Sequence, residues 1–185
     1  MILDNLLMFT GTSNGASAGI TSGANTDKPT TGTQTASNIL DLGVTSGVPS
    51  SGSGGGARDI GIGDAPMMKL LAQVVTAFTI GTSMQIDLSG APDSGTGTEG
   101  SYTVMWSSAV YTEAVLIAGA QIANVDIPRT VPGQAVPRFL RLRYITVGTH
   151  TTAGITACIV LDRFDQIGSI TGTLSGYPAG INIAN

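Results

Sequence analysis

The sequence has little charge of either sign, and this scarcity limits what the protein can bind. Only 8 Lys and Arg and 12 Asp and Glu occur among 185 residues, so charged residues make up 11% of the chain, against about 25% in an ordinary soluble domain. The net charge of −4 argues against a nucleic-acid partner, which normally requires a basic face. The outside of the protein must therefore consist largely of hydroxyl groups, glycine backbone and apolar atoms. Such a surface suits burial against other proteins.

Cysteine and histidine each occur once, and this excludes several kinds of site. Cys158 alone can form neither an internal disulfide nor a cysteine-based zinc cluster, and we expect it to be an inert packed thiol. His150, in a predicted hairpin turn, leaves little from which to build a metal site or a catalytic triad. We therefore expect no enzymatic activity, no cofactor and no metal.

Long hydrophobic runs are also missing. No apolar stretch approaches the roughly 18 residues of a membrane-spanning helix, and the opening segment Met1–Phe9 lacks the basic region of a secretory signal. We expect a soluble protein without a membrane partner, made in a reducing compartment or indifferent to one.

Glycine, serine and threonine are abundant instead, and they concentrate in two segments. Residues 11–37 and 43–57 contain few side chains worth burying, so ordering them costs more conformational entropy than local contacts return. We predict that both are long loops, or arms that order only against a partner. Residues 1–164 are predicted to form one β-sandwich domain, and residues 165–185 an extended C-terminal arm.

Apolar and polar residues alternate along much of the remaining chain, and this period of two is typical of strands with one face on a core. No amphipathic helix of three turns is apparent. Eight strands without intervening helices favour an all-β fold, an antiparallel eight-stranded jelly-roll-like sandwich. The predicted strands are Ser37–Leu42, Met67–Phe78, Thr82–Ser89, 101–106, Glu113–Ala118, Ile122–Pro128, Arg138–Thr146 and 155–161.

Two short motifs match known functional patterns, and we interpret both as chance matches. Residues 11–15 read G-x-S-x-G, which forms a hydrolase nucleophile elbow only on a strand–turn–helix. Residues 61–63 begin a dinucleotide-binding fingerprint but lack its third glycine and its helix. Neither motif indicates catalysis.

Acidic residues and glycines alternate between Pro92 and Gly100, at Asp93, Gly95, Gly97 and Glu99. This pattern predicts a solvated hairpin tip. A weak calcium site is the alternative, although calcium usually requires more oxygen ligands than this loop supplies.

The one dense positive cluster consists of arginines beside an aromatic residue. Planar guanidinium groups bind carboxylates in pairs and stack on rings, so this combination favours a protein interface. The alternative is a solvent-facing strand whose charges prevent edge pairing. The candidate interface residues in this cluster are Arg129, Arg138, Phe139, Arg141 and Arg143.

Taken in order, several segments resemble the cement (decoration) proteins of tailed-bacteriophage heads, of the Bordetella-phage type. None of the segments is a chemical motif, and the resemblance lies in the ordered set. The segments are Met1–Asp4 with Leu6, Leu7 and Phe9, then Asn38–Gly43, Ala57–Asp64, Met84–Leu88, Arg138–Tyr144, Thr146–Thr149 and Gly154–Asp162.

The resemblance implies a jelly-roll sandwich without catalytic activity, assembled in the host cytoplasm and located in the virion on the outer capsid surface. Its implied partners are the major capsid (coat) protein of an HK97-type shell and further copies of itself, as a homodimer or homotrimer on local symmetry axes. Such a protein stabilises the expanded head against the pressure of packed DNA. Residues 11–36, 44–56 and 165–185 depart from the family pattern. The last of these adds four candidate interface residues, Ile167, Ile170, Leu174 and Tyr177.

Other functions remain open on the sequence alone. A head fibre or tail component would share the composition and would differ in copy number per virion. A carbohydrate-binding β-sandwich usually requires exposed aromatic platforms, and only Tyr102, Trp106, Tyr111 and Tyr177 are candidates. A hydrolase is the least favoured, because the chain has a single histidine.

Overall fold

The computed structural model describes residues 7–11, 21–23, 26–42, 68–95, 97–128 and 135–161. These residues form eleven strands and one 3-10 turn, so the fold is all-β. The strands are β1 (Thr21–Gly23), β2 (Thr26–Lys28), β3 (Gly32–Thr35), β4 (Leu40–Asp41), β5 (Met68–Thr79), β6 (Ser83–Ala91), β7 (Thr103–Ser107), β8 (Tyr111–Thr112), β9 (Gln121–Asp126), β10 (Phe139–Val147) and β11 (Thr152–Leu161). No helix in this part of the chain is long and apolar enough to span a membrane.

The strands form two antiparallel sheets that are not closed. The first sheet has the order β1-β2-β11-β5-β9, and the second has the order β3-β10-β6-β7. In the second sheet β4 also pairs with β10, and β8 with β6. Short turns connect β5 to β6 and β10 to β11. In each of these pairs one strand lies in the first sheet and the other in the second, so the chain crosses between the sheets at these turns.

The core lies between the sheets and is built from the apolar positions of the alternating patterns. On β6, Met84, Ile86 and Leu88 are fully buried. On β10, Leu140 and Leu142 are fully buried in the same cluster. Burial of each such side chain contributes about 1.5–3 kcal/mol to the free energy of folding, relative to leaving it exposed. The face that carries these residues therefore points toward the core. The predicted strands at Thr82–Ser89 and Arg138–Thr146 are confirmed.

The segment Met67–Phe78, whose opening residues would also suit a helical turn, forms the longest strand. β5 covers Met68–Thr79, and every second residue from Met68 to Val74 is buried. It pairs with β11 on one side and β9 on the other, with register shifts in both ladders. The β-branched residues Val74, Val75 and Thr76 favour this extended conformation.

One predicted strand is wrong. Within Glu113–Ala118, residues Glu113–Val115 form a 3-10 turn, closed by a hydrogen bond from the Leu116 amide to the Glu113 carbonyl (3.0 Å). Leu116 is fully buried, and its carbonyl accepts a hydrogen bond from the Phe78 amide of β5. The turn therefore places one apolar side chain over the end of the core, which a straight strand could not do.

The segment 11–37, predicted as a loop or arm, contains three strands in its described part. β1, β2 and β3 all fall within it. β3 pairs with β10 over four residues, and β2 pairs with β11. These strands are held by backbone hydrogen bonds and buried polar groups, so apolar alternation does not reveal them. The other predicted loop, 43–57, and the predicted arm, 165–185, lie outside the described residues.

Candidate functional sites at the two ends of the sandwich

The predicted arginine cluster lies along β10 on the outer face of the second sheet. Arg143 donates from Nη2 to Oδ2 of Asp87 at 2.8 Å, across the β10–β6 ladder. Asp87 is only 5% exposed. This ion pair binds the two central strands of the sheet to each other.

Arg141 makes a different contact on the same face. Its Cζ atom lies 3.6 Å from the centroid of the Tyr102 ring, so the guanidinium stacks on the aromatic face. Burial lowers the pKa of Arg141, and burial together with the Glu99 carboxylate raises the pKa of Tyr102. The stacked pair covers the outer face of the sheet beside β7.

Arg138 binds two carboxylates at once. Its Nε and Nη2 atoms donate to the two carboxylate oxygens of Asp41 at 2.8 and 2.9 Å, and Nη1 donates to Oδ2 of Asp93. The hydrogen bonds to Asp41 and Asp93 raise the pKa of Arg138. The same guanidinium lies 4.9 Å from the centroid of the Phe139 ring. The side chain thus ties β4 to the loop that follows β6.

That loop is the predicted hairpin tip, and the structure confirms the hairpin. Asp93 and Glu99 form an antiparallel bridge. Oδ1 of Asp93 accepts hydrogen bonds from the amides of Gly95 and Gly97, each at 2.9 Å. Mainly these backbone hydrogen bonds, with the contribution of Arg138, lower the pKa of Asp93. Both carboxylate oxygens are therefore already bonded within the protein, which weakens the calcium alternative.

We call this region the charged end: the hairpin 92–100 with Asp41 and Arg138. Each described arginine of the predicted interface has a partner inside the protein, and Phe139 is only 5% exposed because it lies beneath Arg138 and between two paired strands. An interface role for these residues stays a prediction. The other predicted interface residues, Arg129, Ile167, Ile170, Leu174 and Tyr177, lie outside the described residues, as do residues 12–15 and 61–63 of the two motifs.

The opposite end of the sandwich exposes apolar side chains, and the sequence analysis did not identify it. Three segments meet there through backbone hydrogen bonds. The Thr82 amide donates to the Val147 carbonyl at 2.9 Å, and the Glu113 amide donates to the Thr82 carbonyl at 3.1 Å. We call this region the apolar end, and its exposed side chains are Ile80, Val110, Val115, Ile117 and Val147.

Beneath the apolar end lies the single histidine. His150 is 1% exposed, and its ring packs edge-to-face on Phe78 with the centroids 4.9 Å apart. Gly81 lies directly against this ring, because a Cβ atom at that position would come within 1.9–2.4 Å of three ring atoms. The glycine is required here for close approach, and the ring supports the β5–β6 turn from below.

A buried carboxylate joins the two sheets between these ends. Asp27 of β2 is fully buried and accepts hydrogen bonds from the Gly11 amide (3.3 Å), from the amide and hydroxyl of Ser37, and from the Tyr144 hydroxyl (3.1 Å). Burial raises the pKa of Asp27 despite these donors, and it also raises the pKa of Tyr144. Sequence reasoning missed this cluster, since its residues are far apart in the chain.

The remaining candidates are structural in the described residues. Cys158 is 1% exposed, and burial raises the pKa of its thiol to about 11, as expected of an inert packed thiol. No group of three or more metal-ligating side chains occurs in the part of the chain that the structure describes. Tyr102 is covered by Arg141, Trp106 packs against the core, and the Tyr111 hydroxyl donates to the Ile122 carbonyl. None of the three offers a free sugar-binding platform.

Neither the protein-family models nor the curated proteins include a match to this chain.

Proposed function

We propose that this chain is a cement protein of a tailed-bacteriophage head, which binds the outer surface of an HK97-type coat shell as a homo-oligomer and stabilises the expanded shell. In this role the protein has no catalytic activity. Its partners are the major coat protein and further copies of itself.

The observation that carries the proposal is the order of the strands. Eight of them form the two facing paths β2-β11-β5-β9 and β3-β10-β6-β7. Along the chain, β2, β5, β9 and β11 lie in one sheet, while β3, β6, β7 and β10 lie in the other. Strands that alternate in this way between two facing sheets are what a jelly roll, built from two Greek keys, would require. This alternation supports the architecture that the resemblance to cement proteins implies.

Three of the segments that carry the resemblance lie on this framework. Residues 84–88 lie on β6, residues 139–144 on β10 and residues 154–161 on β11. These are central strands of the two sheets. The resemblance therefore rests on residues that define the sandwich rather than on loops alone.

The distribution of charge supports a structural role. At the charged end and along β10, the arginines bond to carboxylates or rings of the same chain. The exposed apolar side chains lie mostly at the other end. A protein that binds many identical sites on a shell gains stability from repeated weak contacts, and such contacts require accessible apolar surface more than free charge.

The test is co-sedimentation of the purified chain with shells assembled from the coat protein of the same genome, before and after expansion. We expect saturable binding at a fixed ratio to the coat subunit, with preference for expanded shells, and no pelleting without shells. Absence of binding to either form would contradict the proposal. The copy number in intact virions then distinguishes a head fibre or tail component, present in few copies, from a protein that follows the surface lattice.

A further inference from the structure

The apolar end concentrates exposed hydrophobic surface to an unusual degree. Five of the eight large hydrophobic side chains that are exposed in the described residues lie there. They come from the β5–β6 turn, the loop and 3-10 turn around β8, and the end of β10, three segments whose backbones the hydrogen bonds of Thr82 hold together. Their combined exposed area is on the order of a few hundred Å², the size of a functional patch on a monomer.

Ile80 stands out within this surface. It is the one non-glycine residue with positive φ among the described residues, with φ of 70°. That conformation is unfavourable for a β-branched side chain, and glycine or asparagine would adopt it more readily. The side chain is nevertheless 76% exposed, so packing within the chain does not account for an isoleucine here. Strain retained at an exposed apolar residue indicates a binding role.

The charges around this surface indicate what it binds. Within residues 79–82, 109–117 and 147–151, Glu113 is the only Asp, Glu, Lys or Arg, and the one histidine, His150, is buried beneath the surface. A surface with so little charge can face a copy of itself across a rotation axis without like-charge repulsion. The Thr79 hydroxyl is hydrogen-bonded to those of Thr151 and Thr152, each at 2.8 Å, and the three hydroxyls supply a polar border. An apolar centre with a polar rim is the usual anatomy of such an interface.

We propose that the apolar end is the contact between copies of this chain in its homo-oligomer, with Ile80 as the main anchor. This names the self-association surface of the cement protein proposed above, and to that extent it rests on that proposal. The contact can nevertheless be measured without any coat shell. The exposed area suffices for the apolar centre of an interface of standard size, about 800 Å² per partner.

The test measures molar mass against concentration by sedimentation equilibrium, for the wild type and for the double variant Ile80→Asn with Ile117→Ser. We expect a dimer or trimer for the wild type and a dissociation constant at least about tenfold higher for the double variant. Val104→Ser with Val136→Ser is the matched control, because both residues are exposed but lie outside the apolar end. This control should leave the dissociation constant unchanged. Circular dichroism of the dissociated double variant should show the wild-type fold.

Two results would overturn the inference: a wild type that is monomeric at every concentration, or a double variant that associates like the wild type. Co-sedimentation with coat shells separates this inference from the proposed function. A double variant that keeps its oligomer and loses shell binding would assign the apolar end to the coat protein and contradict self-association. Dissociation of the double variant, with a wild type that never binds shells, would support the self-association surface and contradict the cement role.

Discussion

The two ends of the sandwich are built by the same strands and use their side chains in opposite ways. The antiparallel strands β6 and β10 both extend between the apolar end and the charged end. At the charged end Arg138 bonds to both Asp41 and Asp93, and these ion pairs hold the hairpin in place. At the apolar end Ile80 and Val147 are exposed to solvent, while the buried ring of His150 supports the turn from inside. Among the described residues, the charges at one end bond within the protein, whereas the other end exposes apolar side chains to solvent.

The largest expected effect tests the support beneath the apolar end. In Gly81→Ala the new methyl group would overlap the His150 ring, which is fully buried and cannot move away without breaking its contact with Phe78. We expect a loss of about 4 kcal/mol in the free energy of unfolding, above the usual range for overpacking. Urea denaturation measures it.

Gly119→Ala is the matched control for Gly81→Ala. Gly119 has φ of 89° but nothing within 4 Å of the added atom, so only backbone strain of about 1 kcal/mol is expected. Equal losses at the two positions would show that the His150 ring is not a rigid support. Adding His150→Ala to Gly81→Ala should reduce the additional cost of the methyl group.

The next effect concerns the carboxylate that joins the sheets between the two ends. Asp27→Asn keeps the shape of the side chain but places an amide group among hydrogen-bond donors. We expect the free energy of unfolding to fall by about 2 kcal/mol near pH 4. Because burial raises the pKa of Asp27 in the folded state, the folded protein binds this proton more tightly than the unfolded chain. The wild type therefore loses stability as the pH rises through the folded pKa. The deficit of the variant should shrink over that pH range, as measured by urea denaturation.

Asp93→Asn is the control of opposite sign. The pKa of Asp93 is lowered in the folded state, so its contribution to stability is present above the unfolded value of 3.8 and is lost as the pH falls through the folded pKa. The variant should therefore differ most from the wild type at neutral pH. Parallel pH profiles for the two variants would contradict these assignments.

A smaller effect is expected at the charged end. Arg138→Lys keeps the charge but cannot form the paired contact with Asp41 together with the contact to Asp93. We expect a lower melting temperature and faster amide exchange at Gly95 and Gly97, whose acceptor Asp93 loses its partner. The difference should decrease at about 1 M salt. Arg143→Lys, which replaces a single N–H···O contact to Asp87, should change less.

The smallest effect on stability is expected at Ile80, where the substitution should make the protein more stable, unlike the substitutions above. Ile80→Asn relieves the unfavourable backbone conformation and removes little packing, so the monomer should gain about 1 kcal/mol. The measurement requires a concentration at which the wild type is also dissociated, since association adds apparent stability. A clear decrease in the stability of the variant monomer would show that Ile80 supports the fold. It would contradict the inference that its backbone conformation is strained for binding.

The sequence predicted the parts of the fold in which core-forming apolar residues recur at every second position. β6 and β10 carry apolar side chains at alternate positions, so their bounds and inward faces could be read directly. β2 and β3 could not, because they bury Asp27 and Gln34 and depend on ladders supplied by β11 and β10. Distant partners in the chain decide such strands, and local composition does not.

The candidate sites followed the same division. The arginines of β10 were identified from their spacing, but their partners Asp41, Asp87 and Tyr102 become visible only when the strands are paired. The apolar end was missed because its residues come from separate turns, each of which carries only one or two exposed side chains. Only the positive φ of Ile80 marks it strongly, and backbone conformation of that kind has no sequence signature when the residue is isoleucine.

The long ladder between β6 and β10 has a mechanical consequence. Its nine residue pairs extend without a register shift from Val147 and Ser83 to Phe139 and Ala91. Hydrogen bonds in an antiparallel ladder lie perpendicular to the strands, so a pull between the two ends loads them together in shear, whereas a sideways pull would break them one after another. A molecule held at its apolar end and pulled along its strands would therefore resist extension until many of these hydrogen bonds broke together.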